Sequence, residues 1–211
     1  PDSRRFWLPI SVRWHRNREP VRGGYAPAVL DVVVTAVVVS GFVLLGVAAA
    51  RHVRWHEDVV AQLRAQRLWP EGSEATVAWL VTGAEAVVGA LGVLALSFGV
   101  SAAALTPFVV GLLVLGVGFV GLQVFLLVAR PDAPCGCDLA HDTKVGVGTL
   151  AKAAWPVVAG LVGLVALPTE ALDALSLVAA LVAVFAGLAL AWVVDAAPAW
   201  IDRGAGGQPA S

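Results

Sequence analysis

The stretch TVAWLVTGAEAVVGALGVLALSFGVSAAALTPFVVGLLVLGVGFVGLQVFLLVA, from Thr76 to Ala129, carries one charged residue, Glu85. A helix gains about 1.5 Å per residue, so about 20 mainly apolar residues cross a hydrocarbon core of about 30 Å. The stretch therefore predicts two spans joined by a short turn. The rest of the chain agrees. Of its 211 residues, 59% are hydrophobic and 14% are charged, against about 25% charged in a soluble domain. The mean hydropathy is +0.83. A water-soluble globule of that composition would expose large apolar patches. A soluble enzyme and a disordered chain are excluded. The net charge of −1 gives no field for nucleic acid, which is not expected as a partner. The expected partner is the lipid bilayer.

Working outward, the bundle is expected over residues 26–197, with five spans near 27–50, 76–98, 107–129, 145–167 and 171–194. The first is rich in β-branched residues from Val32 to Val39. In lipid its backbone must bond within the segment, so helix is expected over strand. Gly99–Thr106 reads as the turn between spans two and three. Residues 1–25 carry Arg4, Arg5, Arg13, Arg16, Arg18 and Arg22 among Phe6, Trp7, Trp14 and Tyr25. That mixture suits an arm in the lipid headgroup layer. It does not read as a cleaved secretory signal. Residues 198–211, rich in Gly, Ala and Pro, are expected to form a flexible tail.

Residues 51–75, RHVRWHEDVVAQLRAQRLWPEGSEA, place Val53, Val59, Val60, Leu63 and Leu68 near one face. This predicts an amphipathic helix in the interface that ends near Pro70–Gly72, or an extension of the first span. Lys and Arg divide evenly between the two membrane sides, so the positive-inside rule gives no orientation. Either way, this segment and the loop 131–144 share one side. Gly111, Gly116, Gly118 and Gly121 are read as close-packing positions.

Chemistry concentrates in that loop, PDAPCGCDLAHDTK. Cys135 and Cys137 flank Gly136. A disulfide between them would close a very small ring, which Gly136 makes possible. Such a strained bond is readily reduced, which suits exchange. It staples almost no chain, so a structural role is disfavoured. A metal site is the alternative. His52 and His56, four residues apart, would share a helical face, and with Cys135 and Cys137 could hold zinc or copper. His141 lies close enough to assist a thiol. Glu85 lies deep within a span, and such a group is costly unless it faces the bundle interior. It reads either as a proton relay or cavity cap, or as a hydrogen-bonding partner of Gln123 or Thr82. Asp31 and Lys152 lie near span ends and read as anchors.

The order of these features resembles the methylamine-utilisation MauE family of DoxX-like membrane proteins. A charged turn ends in RLWP at 67–70, a second helix carries Glu85 and then Gly89, and a Cys-Gly-Cys loop precedes the fourth helix. The resemblance covers about residues 28–167, with CGCDLAHD in place of the family's usual CGCFG. It implies an all-α membrane protein, a four-helix DoxX/MauE-like bundle with a fifth transmembrane helix added. It also implies a thiol–disulfide relay or maturation factor, a possible thiol-disulfide oxidoreductase, which supports exported proteins with a thioredoxin-like extracytoplasmic partner. Cys135 and Cys137 would exchange on the outer face of a bacterial plasma membrane, with His141 and Glu85 assisting. Related four-helix thiol oxidoreductases pass electrons to quinone, which makes quinone a cofactor by analogy. Two other functions remain open: a non-catalytic subunit among other membrane-complex subunits, or a metal-handling protein.

Overall fold

The computed structural model describes residues 25–98, 101–130 and 146–166, and helical residues 182, 184–190 and 192–193. Within them the chain forms α1 (Tyr25–Arg54), α2 (His56–Gln66), α3 (Glu74–Ser97), α4 (Ala102–Ala129) and α5 (Val147–Ala166). Among the described residues, four helices are long and apolar enough to cross a membrane: Val29–Arg54, Glu74–Ser97, Ala103–Ala129 and Val147–Ala166. The protein is an all-α integral membrane protein, as its sequence predicts. Of the fifth expected span, residues 184–190 are helical, and Gly187 packs against Ala36 and Val39 of α1. The arm, the cysteine loop and the tail lie outside the described residues.

α1 is the central helix. In its most apolar stretch 61% of residues are buried, against 22% for α4. Glycines set its closest approach to α3. A Cβ at Gly89 would lie 2.5 Å from Gly46 N and 2.8 Å from Phe42 O, and one at Gly92 would meet the Phe42 ring. Where no water drives association, small residues let backbones come together in this way. Gly116 packs on Pro156 and Val157, while Gly160 packs on Leu113. The paired numbers run in opposite directions, so α4 and α5 are antiparallel. α1 and α3 are antiparallel by the same reasoning. The end of α1, all of α2, the start of α3, the end of α4 and the start of α5 therefore gather at one end of the bundle. Towards the other end, Val38, Phe42, Leu45, Leu105, Val109, Leu112 and Ala159 form a dry core.

The structure corrects several expectations. The turn expected at Gly99–Thr106 is shorter, because α4 starts at Ala102 with Ser101 as its cap, whose hydroxyl accepts from Ala104 N at 3.4 Å. Pro107 lies inside α4 rather than at its start. The segment 51–75 is not one interfacial helix. α1 runs on to Arg54, Trp55 breaks the helix, and α2 follows. Glu57 and Asp58 then complement the positive end of α2. Its apolar residues Val59, Val60 and Leu63 pack on Ala78 and Val77 of α3. Val53 is exposed and takes no part in that face. α2 ends at Arg67, whose left-handed backbone (φ 50°) turns the chain well before Pro70. Gly111 packs against Val88 and Gly116 against α5, but Gly118 and Gly121 meet nothing within 4 Å among the described residues.

Candidate functional site

α3 buries Glu74, Ala78, Thr82, Glu85, Gly89 and Gly92. Their spacing of three and four keeps them on one face, as a 3.6-residue period requires. Glu85 therefore points into the bundle, and it is 2% exposed. Its partner is His52, near the end of α1 and 7% exposed. His52 Nδ1 lies 2.7 Å from Glu85 Oε2. The short distance suits an Nδ1–H donating to the carboxylate. A carboxylate held on one imidazole nitrogen fixes the ring's orientation and tautomer, and leaves Nε2 as the atom that can meet a third group. Thr82 and Gln123, the partners expected for Glu85, lie on α3 and α4. Thr82 Oγ1 is buried without a hydrogen bond, and Gln123 is buried on α4.

His52 and Glu85 sit in the wall of a cavity of about 120 Å³. α1 contributes Leu44, Leu45 and Ala48, and α3 contributes Val77, Ala78 and Val81. Phe119 and Leu122 come from α4, and Lys152, Ala153 and Pro156 from α5. Val59, Leu63 and Gln66 of α2 close the near end, with Trp69 beside them. The space is mostly hydrocarbon-walled, with a few ionisable groups converging on it. That is the usual make-up of a small-molecule site. Lys152, read from the sequence as an anchor near the span end, also lines this cavity.

His56 is separated from His52 by the break at Trp55, so the two do not share a helical face. His56 opens α2 and stacks on Trp79, with ring centroids 4.4 Å apart. Arg54 lies over Trp55 at 5.1 Å, in the same outer layer. Among the described residues no three His, Cys, Asp or Glu side chains gather as a metal would need. Cys135, Cys137 and His141 lie outside the described residues. Their loop leaves α4 at Arg130 and joins Gly146 just before α5, so both its attachments are at the cavity's end of the bundle.

A model of the family described as methylamine utilisation protein MauE matches residues 29–166. The chain belongs to the MauE family. The match opens with the first span and closes at the end of α5. The MauE unit here is thus the four-helix bundle with its cavity, and residues 184–190 add a helix outside it. No curated protein and no solved structure matches the chain. Within the MauE match, sequence reasoning found Glu85 but missed its pairing with His52 and the place of Lys152 in the cavity lining. The available signal was the rule that an ionisable group in lipid seeks a partner.

Proposed function

We propose that this MauE-family protein is a membrane thiol–disulfide relay that supports the folding of exported proteins through Cys135 and Cys137. The observation that carries the reading is the common location of the loop's two attachments and the His52–Glu85 cavity at one end of the bundle. Family membership supports it as well. The exchange balances without any group beyond protein thiols. A thiolate of a reduced exported protein attacks one sulfur of the Cys135–Cys137 disulfide, and the other sulfur leaves as thiolate. The exported protein's second thiolate then resolves the mixed disulfide. It departs oxidised, and the cysteine pair now holds two electrons as two thiols. A thioredoxin-like partner on the outer face of a bacterial plasma membrane takes those electrons through its own disulfide, and the pair is restored. His141, four residues from Cys137, takes up and returns the thiol proton. Glu85 acts at one remove, by holding His52 in the cavity.

The test is thiol trapping in intact cells with a membrane-impermeant maleimide, before and after mild reduction. Both cysteines should label only after reduction, and Cys137→Ser should trap a mixed disulfide with the thioredoxin-like partner, because the Cys135 thiolate attacks the partner's disulfide and no second thiol resolves the product. Labelling that requires cell lysis would overturn the relay. So would unchanged disulfide formation in exported proteins of cells carrying Cys135→Ser/Cys137→Ser, the result expected of a non-catalytic subunit.

A further inference from the structure

The cavity at His52 and Glu85 takes no part in the exchange of sulfur bonds itself, and its walls suit a guest of their own. Its volume of about 120 Å³ approaches that of an engineered apolar cavity, about 150 Å³, that takes up benzene. It therefore admits one six-membered ring. Leu44, Leu45, Val81, Phe119 and Pro156 supply hydrocarbon walls for the ring's faces and edges. Against these walls stand an oriented imidazole with its carboxyl partner and, elsewhere in the lining, Gln66 and Lys152. Glu85 occupies Nδ1 at 2.7 Å, so Nε2 is the ring nitrogen left to hydrogen-bond a guest. Depending on the proton it carries, Nε2 donates to a carbonyl or accepts from a hydroxyl. Besides α2, the helices that line the cavity are long and apolar enough to span the membrane, which gives a guest a path from lipid.

We propose that this cavity is a binding site for a lipid-soluble molecule whose head is a single ring bearing a carbonyl or hydroxyl oxygen, held at that oxygen by His52 Nε2. A plain hydrocarbon ring fits the walls but forgoes the hydrogen bond. A strongly hydrated head would leave water against the apolar walls. The inference is argued from the described residues of the cavity alone and does not draw on the cysteines.

The experiment uses the full chain in lipid nanodiscs, with empty nanodiscs as the partition control. The probes are para-fluorophenol and fluorobenzene, followed by fluorine NMR. Saturable binding of both is expected, with the phenol about tenfold tighter, the ratio given by one hydrogen bond formed out of water. The variant His52→Phe/Glu85→Leu keeps the volume and removes the buried pair together, which preserves the fold better than leaving either partner alone. In it the two probes should bind equally. Ala48→Leu, which narrows the cavity, should weaken both. Equal binding to the wild type, absence of saturable binding, or a phenol preference that survives the double variant would each overturn the proposal. Displacement of the phenol by dimethyl-benzoquinone identifies the natural head as a quinone, and resistance to displacement identifies it as a redox-inert phenol. The same titration in Cys135→Ser/Cys137→Ser should be unchanged, so failure of the relay and failure of this site are told apart.

Discussion

Replacing Gly89 with alanine tests how the bundle aligns its buried pair. The added Cβ would lie 2.5 Å from Gly46 N and 2.8 Å from Phe42 O, both backbone atoms of α1. No rotamer change relieves such a clash, because the atoms belong to a hydrogen-bonded helix. To reach ordinary contact near 3.4 Å, α1 and α3 must separate by about 0.9 Å. Glu85 lies four residues away, or about 6 Å along the axis. An opening of that size stretches the His52–Glu85 bond from 2.7 Å to roughly 3.6 Å, beyond hydrogen-bonding range. Overpacking costs about 1–3 kcal/mol, and losing a hydrogen bond to a charged group adds about 1.5–3 kcal/mol. The expected destabilisation is therefore roughly 2.5–6 kcal/mol. Reversible unfolding in mixed micelles of rising SDS fraction measures it. Two glycines serve as controls. Gly46, on the α1 side of the same contact, and Gly83, on the exposed face of α3, have nothing within 4 Å of an added Cβ. Alanine at either should stay within about 1 kcal/mol of the wild type. If Gly89→Ala unfolds together with these two controls, the close-crossing argument is wrong.

Two further changes probe other contacts. Trp155 Nε1 donates to Ser40 Oγ at 2.9 Å, and that hydroxyl donates to Val37 O at 2.6 Å. Ser40→Ala should cost about 1–2 kcal/mol in the same unfolding assay by stranding the indole N–H, and adding Trp155→Phe should recover most of it. A double-mutant cycle on His52→Phe and Glu85→Leu should show about 3–5 kcal/mol of loss for each single change and much less for the two together. Additive losses would mean that the two side chains do not act as a pair.

The spans were legible because hydrocarbon thickness is a length constraint that any apolar run must meet. The expected limits of 76–98 and 145–167 differ by only a residue or two from Glu74–Ser97 and Val147–Ala166. What the pattern could not convey was which face of each helix turns inward. A helix that is apolar all round gives no stripe to read. α4 shows this most clearly, with Leu112 fully buried and Val114 and Val117 exposed although all three are aliphatic. Glycines are equally ambiguous by composition. Gly116 and Gly118 differ by two positions, yet among the described residues only Gly116 meets another helix. The start of α4 was misjudged because Pro107 resembles a helix start, while Ser101 supplies the actual cap.

The pairing of His52 with Glu85 was hidden for a simpler geometric reason. Ending the first span at Ala50 assigns His52 to an interfacial segment and leaves Glu85 to find a partner among neutral residues within the spans. α1 instead continues to Arg54, one helical turn further. That turn keeps His52 in the bundle and brings a basic ring to the one acidic group in the Thr76–Ala129 stretch. The same extension moves the helix break to Trp55, which separates His52 from His56 and weakens the four-residue metal pairing that their spacing suggested. One turn of helix thus decides between two chemistries for the same histidine: a ligand at the surface, or the oriented wall of a cavity. The length of α1 is in turn fixed by packing, since Gly89 and Gly92 hold it against α3 and α2 folds back onto Ala78. Contacts of that kind join residues far apart in the chain, and no local periodicity records them.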